Sequence, residues 1–125
     1  SRMDALFRLI HEVSHEWERR ATLQEFRAGK KKVEEVCDAD FLLRAAGEHH
    51  GVDADRVCPL CESNMHNVLW IYGDNLGRRS GSARSEKEIA ELVGEVGPFT
   101  VHKVEVCPNC RWNHLLSTAE AVPVQ

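Results

Sequence analysis

Two Cys-Pro-x-Cys motifs carry most of the chemistry that this sequence can support. They occupy positions 58–61 and 107–110 and contain four of the five cysteines. Two thiolates separated by two residues can bind one metal ion about 2.3 Å from each sulfur, and a second pair completes a tetrahedron. Such a closed site has no open position for water or substrate, so its role is structural. We predict a structural zinc ion bound by Cys58, Cys61, Cys107 and Cys110, with iron not excluded by the thiolates alone.

Two other hypotheses stay open for these cysteines. The 45 residues between the two motifs exceed the roughly 15–20 of the compact four-cysteine pattern. A Cys-Pro-x-Cys motif that follows a strand can instead be a redox pair, in which case Cys107 and Cys110 would serve a thiol-disulfide oxidoreductase. A histidine could also replace one cysteine as a metal ligand. The candidates are His66, His102 and His114.

Two positions within the motifs depart from the common pattern. Many zinc-binding turns place glycine after the second cysteine, because the backbone there takes a positive φ. Here Glu62 and Arg111 occupy those places. We therefore expect the turns to be less regular than the motif implies, and the charge of Arg111 to help balance the thiolates.

The fifth cysteine, Cys37, lies apart from the motifs. We predict an inert thiol packed inward with Val36 and Phe41, because free cysteine is among the most buried residue types. A reactive cysteine needs an electropositive surrounding, whereas this one has four acidic residues within three positions.

The sequence His11-Glu12-x-x-His15 matches the HExxH signature of zinc hydrolases, in which two histidines one helical turn apart bind the metal. In the helix predicted for this region, Glu12 and His15 lie opposite the apolar stripe, and no third ligand is placed near them. We interpret these residues as a solvated helix face and keep a metallohydrolase only as an alternative.

The segment 77–84 is the main candidate for binding a partner. It has three arginines and no acid, on a backbone rich in glycine and serine. Arginine forks suit phosphate and carboxylate groups, and exposed aromatic rings can stack on bases. Two further residues follow the second cysteine motif and are expected on the same side. The predicted partner-binding residues are Arg78, Arg79, Arg84, Arg111 and Trp112, although a solvated loop without a partner explains the composition equally well.

The elements that position these residues fall into two parts. One long helix is predicted from Met3 to Ala28 by a stripe of apolar residues at helical spacing, namely Met3, Leu6, Phe7, Ile10, Val13 and Trp17. A short helix or turn is predicted at 33–37, followed by a helix that Asp38 or Asp40 can cap. Strands are predicted at 67–72 and 99–106, with a helix between them that begins at Ser85. We predict an α+β fold in which a helical N-terminal half packs on a small antiparallel zinc-ribbon-like sheet with an inserted helix. In this single domain, residues 3–51 form the helical part, 52–118 the ribbon-like part and 119–125 a loose tail.

Composition limits the function classes. The chain has 125 residues and a formal net charge of −4, which argues against bulk electrostatic attraction to nucleic acid. No segment approaches the roughly 18 apolar residues that a membrane span requires, and no signal peptide is evident. We expect a cytoplasmic protein, where reduced thiols favour metal over disulfides.

Several motifs together resemble a family of small actinobacterial proteins of unknown function. They are Val36 to Ala39, Val57 to Cys61, Ser80 to Arg84, and Val104 to Leu115. The resemblance covers about residues 16–116. It implies an intracellular bacterial protein with a shared metal site, and it implies no established activity.

From these observations we predict a non-enzymatic zinc-binding adaptor or regulator. Its arginine-rich loop would contact a protein or ribonucleoprotein partner such as transcription or translation machinery, by analogy with other zinc ribbons. Direct binding of nucleic acid by the same surface is the first alternative. The enzymatic alternatives are the oxidoreductase and the metallohydrolase described above. The sequence does not determine the oligomeric state.

Overall fold

The protein is described by a computed structural model over residues 7–124, and its centre is one curled antiparallel sheet of six strands. Five strands run in the order β1-β6-β5-β3-β2, and the short β4 pairs with β3. The strands are β1 (Phe7–Ser14), β2 (Val52–Val57), β3 (Asn64–Tyr72), β4 (Ser82–Ala83), β5 (Phe99–Val106) and β6 (Asn113–Pro123). The helices are α1 (Glu16–Arg27), α2 (Val33–Val36), α3 (Phe41–His50) and α4 (Glu86–Val96), and a 3-10 segment covers Asp74–Arg79. This is the α+β class that the sequence predicts.

Helix α4 covers one face of the sheet at the end where β3 finishes and β5 begins. It begins at Ser85, whose hydroxyl accepts the amide N–H of Glu88, while the Glu88 carboxylate accepts the amide N–H of Ser85. This capping box confirms the predicted helix start. Behind it, Ile89 and Leu92 pack with buried strand residues such as Ile71 in one apolar cluster. Removing these side chains from water stabilises this end of the fold.

Helix α3 covers the opposite face. Its Ala46 packs with Val68 and Val106. Because side chains alternate along a strand, these two valines lie on the face of the sheet opposite to the one that α4 covers. Gly47 permits this approach, since a Cβ at that position would lie 2.8 Å from Cγ1 of Val106. Of the two predicted cap residues, Asp38 and Asp40, the structure has Asp40, whose carboxylate accepts the amide N–H three residues later.

The prediction of one long N-terminal helix was wrong. Residues Phe7–Ser14 form β1, which pairs with β6 from Phe7 opposite Pro123 to Ser14 opposite Ser117, and the helix begins only at Glu16. The apolar spacing resembled a helical stripe, but the backbone pairs with β6 instead, in a ladder interrupted by a register shift between Ile10 and Val13. Val13 and Trp17, assigned to the buried stripe, are 55% and 70% exposed. Met3 and Leu6 lie outside the described residues.

The division into a helical half and a ribbon-like half does not match the structure either. The first strand belongs to the same sheet as the last, so the sheet includes residues from both parts. The segment 119–123, predicted as a loose tail, continues β6 as far as Pro123 and pairs on both sides. Strand β2 was not predicted, since Val52–Val57 contains three charged residues and mostly exposed side chains.

Candidate metal centre

The two Cys-Pro-x-Cys motifs form matching turns at one end of the sheet. The first turn (58–63) joins β2 to β3, and the second (107–112) joins β5 to β6. Because β3 and β5 are antiparallel neighbours, with His66 opposite Val106, the start of one strand lies beside the end of the other. The insertion of 45 residues between the motifs therefore does not separate them. We call these segments the cysteine turns.

The cysteine turns repeat one hydrogen-bond pattern. The amide N–H of Cys58 donates to the carbonyl of Ser63 at 2.8 Å, and that of Cys107 donates to the carbonyl of Trp112 at 2.8 Å. In each turn, the residue after the second cysteine donates its N–H to the carbonyl of the first cysteine at 3.0 Å. An amide within each turn also points at the Sγ of the first cysteine, 3.4 Å away. Such N–H groups stabilise a thiolate.

The residues after the second cysteines take the backbone conformation that glycine usually supplies. Glu62 has φ 64° and Arg111 has φ 76°. The expectation of less regular turns was wrong, because both side chains accept the left-handed conformation at a cost of roughly 1–2 kcal/mol each. Among the described residues, the expected charge balance by Arg111 has no contact to support it, since the contact its guanidinium makes is a hydrogen bond from Nε to the carbonyl of Ala39 at 3.0 Å.

The sulfur positions fit a tetrahedral ion. The Sγ atoms of Cys58, Cys61, Cys107 and Cys110 all lie within 4.8 Å of one another. Two sulfur pairs that bridge the turns are 3.6 Å and 3.5 Å apart. Four sulfurs at about 2.3 Å from a central zinc ion are separated by about 3.8 Å along each edge. The predicted ligand set is therefore brought together in a geometry compatible with a metal site.

The electrostatics of the cluster also favour a cation. Burial raises the pKa of Cys58 and that of Cys110, each to about 12, whereas a hydrogen bond from the Ser63 side chain lowers the pKa of Cys61 to about 5. Crowded, partly desolvated thiolates are costly without a compensating positive charge. A bound divalent cation would supply that charge and displace the protons.

A buried ionic network supports the second cysteine turn. The carboxylate of Glu105, which is 1% exposed, accepts the Nε–H of Arg19 at 2.6 Å and the indole N–H of Trp112 at 2.8 Å. Its other oxygen accepts a hydrogen bond from Arg56 at 3.2 Å, and Arg56 also binds both carboxylate oxygens of Glu16. We call this set the Glu105 network. It attaches α1 to the sheet beside the cysteines.

Sequence reasoning missed the Glu105 network. The acidic residue lies within the strand predicted at 99–106, and neither it nor Arg19 was given a role. The usable signal was a charged residue two positions before Cys107, together with a tryptophan two positions after Cys110 on the other side of the same motif. Trp112 was predicted as a partner-binding residue, but it is fully buried and donates its N–H inside the protein. In this conformation it has no exposed ring to offer.

The arginine candidates are separated by the structure. The segment 77–84 follows β3 at the end of the sheet opposite the cysteines, whereas Arg111 lies in the second cysteine turn. Arg79 forms an ion pair with Glu95 at 3.3 Å, and Arg84 pairs with Glu88 at 3.4 Å. Arg78 is exposed. The expectation that Arg111 and the loop lie on the same side was wrong for Arg78 and Arg79, which come after the far end of β3. Arg84 lies closer, since its backbone N–H donates to the carbonyl of Leu69 in the middle of that strand.

The HExxH residues do not share a helix. His11 and Glu12 belong to β1, where a register shift between Ile10 and Val13 leaves them outside the regular ladder. His15 precedes α1 as its N-terminal cap residue. The geometry that two histidines one helical turn apart would provide is therefore missing over this segment.

None of the three candidate histidines belongs to the group of residues that lie close enough to bind one ion, which consists of the four cysteines. His66 lies on β3, and His102 packs against Tyr72 with the two rings tilted by 47°. His114 stacks on Trp112 with its Nδ1 2.7 Å from a backbone carbonyl. Burial lowers the pKa of His102.

The fifth cysteine was expected to pack with Phe41, which is instead 72% exposed. Cys37 contacts the cluster directly, with its Sγ 3.7 Å from Sγ of Cys110.

Comparison with known proteins agrees with the resemblance. The model of the family of unknown function DUF5318 matches residues 9–120. Uncharacterized proteins of Mycobacterium tuberculosis and Mycobacterium bovis are 44% identical over 102 residues, covering 80% of this chain and 74% of theirs. No solved structure matches the chain. Among the described residues, no helix has the length and apolar character needed to cross a membrane.

Proposed function

Because the chain belongs to the DUF5318 family, whose description assigns no activity, we propose a function from its own geometry: a non-enzymatic adaptor held in shape by a structural metal centre. Zinc is the proposed ion, with Cys58, Cys61, Cys107 and Cys110 as its ligands. The observation that carries the proposal is the grouping of four Sγ atoms within 4.8 Å from two turns with the same hydrogen-bond pattern.

The donor set supports a structural role. Four thiolates complete the coordination of a tetrahedral ion, which then has no free position at which to activate water or substrate. When bound, the ion supplies a fixed crosslink between the two cysteine turns. The turns in turn hold the ends of β2, β3, β5 and β6 together beside a buried apolar cluster that includes Leu23, Met65 and Trp112.

Metal content tests this proposal. We expect about one zinc per purified chain, with four thiols protected from a thiol reagent until a chelator is added. Cys61→Ser should lose the metal, and Cys37→Ser, which removes a sulfur outside the ligand group, is the matched control that should retain it. A metal-free protein with five freely titrating thiols would refute the metal centre. Equal metal content in both variants would refute the ligand assignment.

The partner proposal rests on Arg78. Two neighbouring arginines of the segment 77–84 are neutralised by ion pairs within the chain, whereas Arg78 is exposed at the far end of the sheet. A cation on a loop suits an acidic surface of a protein or ribonucleoprotein partner.

Affinity purification from an actinobacterial lysate tests the adaptor role. We expect the wild-type chain to retain a defined partner that Arg78→Ala loses and Lys87→Ala retains, because Lys87 is another exposed cation on the neighbouring helix. A partner retained equally by both variants would remove Arg78 from the interface. Retention of nucleic acid alone, with steep loss in added salt, would favour direct nucleic-acid binding.

A further inference from the structure

We propose that Cys37 and Cys110 are an oxidisable thiol pair, in which a disulfide between them withdraws one of the four sulfur ligands. The inference rests on the proposed metal centre for its consequence, the release of the ion. The pairing itself rests on the position of Cys37, which sequence reasoning treated as an isolated buried thiol.

The sulfur contact is the first observation. Sγ of Cys37 lies 3.7 Å from Sγ of Cys110, close to the 3.5 Å and 3.6 Å that separate sulfurs within the cluster. Cys37 is nevertheless not part of the compact group of four. It is a fifth thiol in contact with a ligand, and it stays free when the other four bind an ion.

A separate set of hydrogen bonds keeps the fifth thiol at this place. The amide N–H of Ala39 donates to the carbonyl of Arg111 at 3.0 Å, and the Nε–H of Arg111 donates to the carbonyl of Ala39 at 3.0 Å. The side-chain amide of Asn113 donates to the carboxylate of Asp38 at 2.8 Å. These three bonds join the residues that follow Cys37 to those that follow Cys110. The contact between the sulfurs is therefore held by hydrogen bonds between the residues that follow each cysteine.

The surroundings of Cys37 allow the reaction. The residue ends the four-residue helix α2 and is only half-buried, so a small oxidant can reach its neighbourhood from solvent. A disulfide bond is about 2.05 Å long, so the two sulfurs must approach by about 1.7 Å. A short helix between two loops can move by this distance more readily than the sheet strands that carry the ligands.

The balanced chemistry uses a hydroperoxide as the oxidant. The Cys110 thiolate attacks one peroxide oxygen, the O–O bond breaks, and Sγ becomes a sulfenic acid while hydroxide leaves and takes up a proton as water. Cys37, after losing its proton, attacks this sulfur, so that an S–S bond forms and the S–OH bond breaks. The second hydroxide also leaves as water. Two thiols lose two electrons in total, and one hydrogen peroxide becomes two waters.

Two sulfur pairs within the group of four are equally close, but they are poorer candidates for forming the disulfide. A disulfide between two members of the group of four would remove two ligands at once and would need both to leave the ion. Cys37 is the one thiol in contact with the group that carries no ligand role, so it can act as the resolving nucleophile while three sulfurs keep their places.

Peptide mapping tests the pairing. Trypsin separates the cysteines into peptides 33–44, 57–78 and 104–111, which contain one, two and two cysteines. Metal-loaded protein would be treated with one equivalent of hydrogen peroxide, alkylated and digested without reductant. We expect the linked peptides 33–44 and 104–111, and fragmentation between positions 107 and 110 should place the bond at Cys110. Released zinc, followed with a chromogenic chelator, should rise with the same time course.

Two variants define the outcome. Cys37→Ser should start with the same metal content, form no such link and release zinc several-fold more slowly. Asn113→Ala, which loosens the hydrogen-bonded contact but keeps every sulfur, should form the link several-fold more slowly. Disulfides confined to peptides 57–78 and 104–111, or zinc release unchanged by Cys37→Ser, would overturn the inference. Protein that binds no metal but still forms the Cys37–Cys110 link would confirm the pair and refute the proposed metal centre.

Discussion

The Glu105 network offers the clearest test of how the fold is held beside the cysteines. We predict that Glu105→Ala is among the most destabilising single substitutions in the described part of the chain. The change leaves the guanidinium of Arg19, 8% exposed, and the N–H of the buried Trp112 without their acceptor. Neither group can reach water without moving α1 or the second cysteine turn.

The structure sets the magnitude. Removing one partner of a buried ion pair costs about 3–5 kcal/mol, because the remaining charge is uncompensated. The unsatisfied indole N–H adds to this, although the contributions are not additive. We expect a loss of about 4 kcal/mol for Glu105→Ala, a large share of the 5–15 kcal/mol typical of a native domain. Glu105→Gln keeps the shape and one acceptor, and should lose roughly half as much.

Urea unfolding followed by circular dichroism, at one fixed zinc concentration, measures these changes. Arg56→Ala is the matched control, because Arg56 binds the same carboxylate from a side chain that is 41% exposed and should lose less than about 1 kcal/mol. A free energy of unfolding of Glu105→Ala within about 1 kcal/mol of the wild-type value would contradict a stabilising role for the network. An equal loss of stability in Arg56→Ala would contradict it as well.

Further predictions concern backbone positions and one carboxylate. Gly94→Ala, at a helix position with no atom within 4 Å of a new Cβ, should stabilise by about 0.5–1 kcal/mol, whereas Gly47→Ala should destabilise by about 1–2 kcal/mol through its contact with Val106. Glu62→Gly removes the cost of the left-handed backbone conformation, roughly 1–2 kcal/mol, but raises the entropy of the unfolded chain, which costs about 0.4–1 kcal/mol. We expect urea unfolding to show a net increase of about 1 kcal/mol in the free energy of unfolding. The hydrogen bond from the backbone amide of Ser85 lowers the pKa of the Glu88 carboxylate. The ionised carboxylate therefore stabilises the folded state fully above the unfolded-state pKa of about 4.3, and this stabilisation is lost as the pH falls through the lower pKa of the folded state. Glu88→Gln should flatten the acid dependence of the urea midpoint, and an unchanged slope would contradict the capping argument.

The sequence predicted best where local chemistry decides the structure. Asp40 and Ser85 begin helices because their side chains accept amide N–H groups a few residues away, and both caps are found. The strand at 99–106 followed from its alternation, and its bounds agree. The grouping of the four cysteines also followed from local spacing, since each pair is set by its own turn.

The N-terminal region shows where such reasoning stops. Phe7 to Ser14 has the apolar spacing of a helix, and what makes it a strand is an unpaired edge of β6, more than 100 residues away in sequence. The same applies to β2, whose charged residues carry no pattern but pair with β3. A strand at the edge of a sheet depends on its neighbour more than on its own residues, so local patterns describe it poorly.

The site was predicted only in part for a similar reason. The ligands lie in motifs, but the residues around them come from distant segments. Arg19 reaches Glu105 across 86 positions, and Cys37 reaches Cys110 across 73. Neither contact leaves a spacing that can be read from the sequence. Tertiary packing alone makes Arg19 the buried counterion of Glu105 and brings Cys37 into contact with Cys110.

The position of these contacts also limits what the metal centre can control. The cysteine turns lie at one end of β3 and Arg78 beyond the other, about 26 Å apart along nine residues of strand. Between them the apolar cluster behind α4 packs without any sulfur ligand, so that end of the sheet keeps its own core. Loss of an ion would loosen the second cysteine turn, and a Cys37–Cys110 disulfide would tie the end of α2 to that turn covalently. Either change would act first on α2 and the segment that follows it, because hydrogen bonds already join that segment to the second cysteine turn. We therefore expect the surface around α2 and α3, where Phe41 and Leu42 are exposed, to respond to the state of the thiols before the arginine loop does.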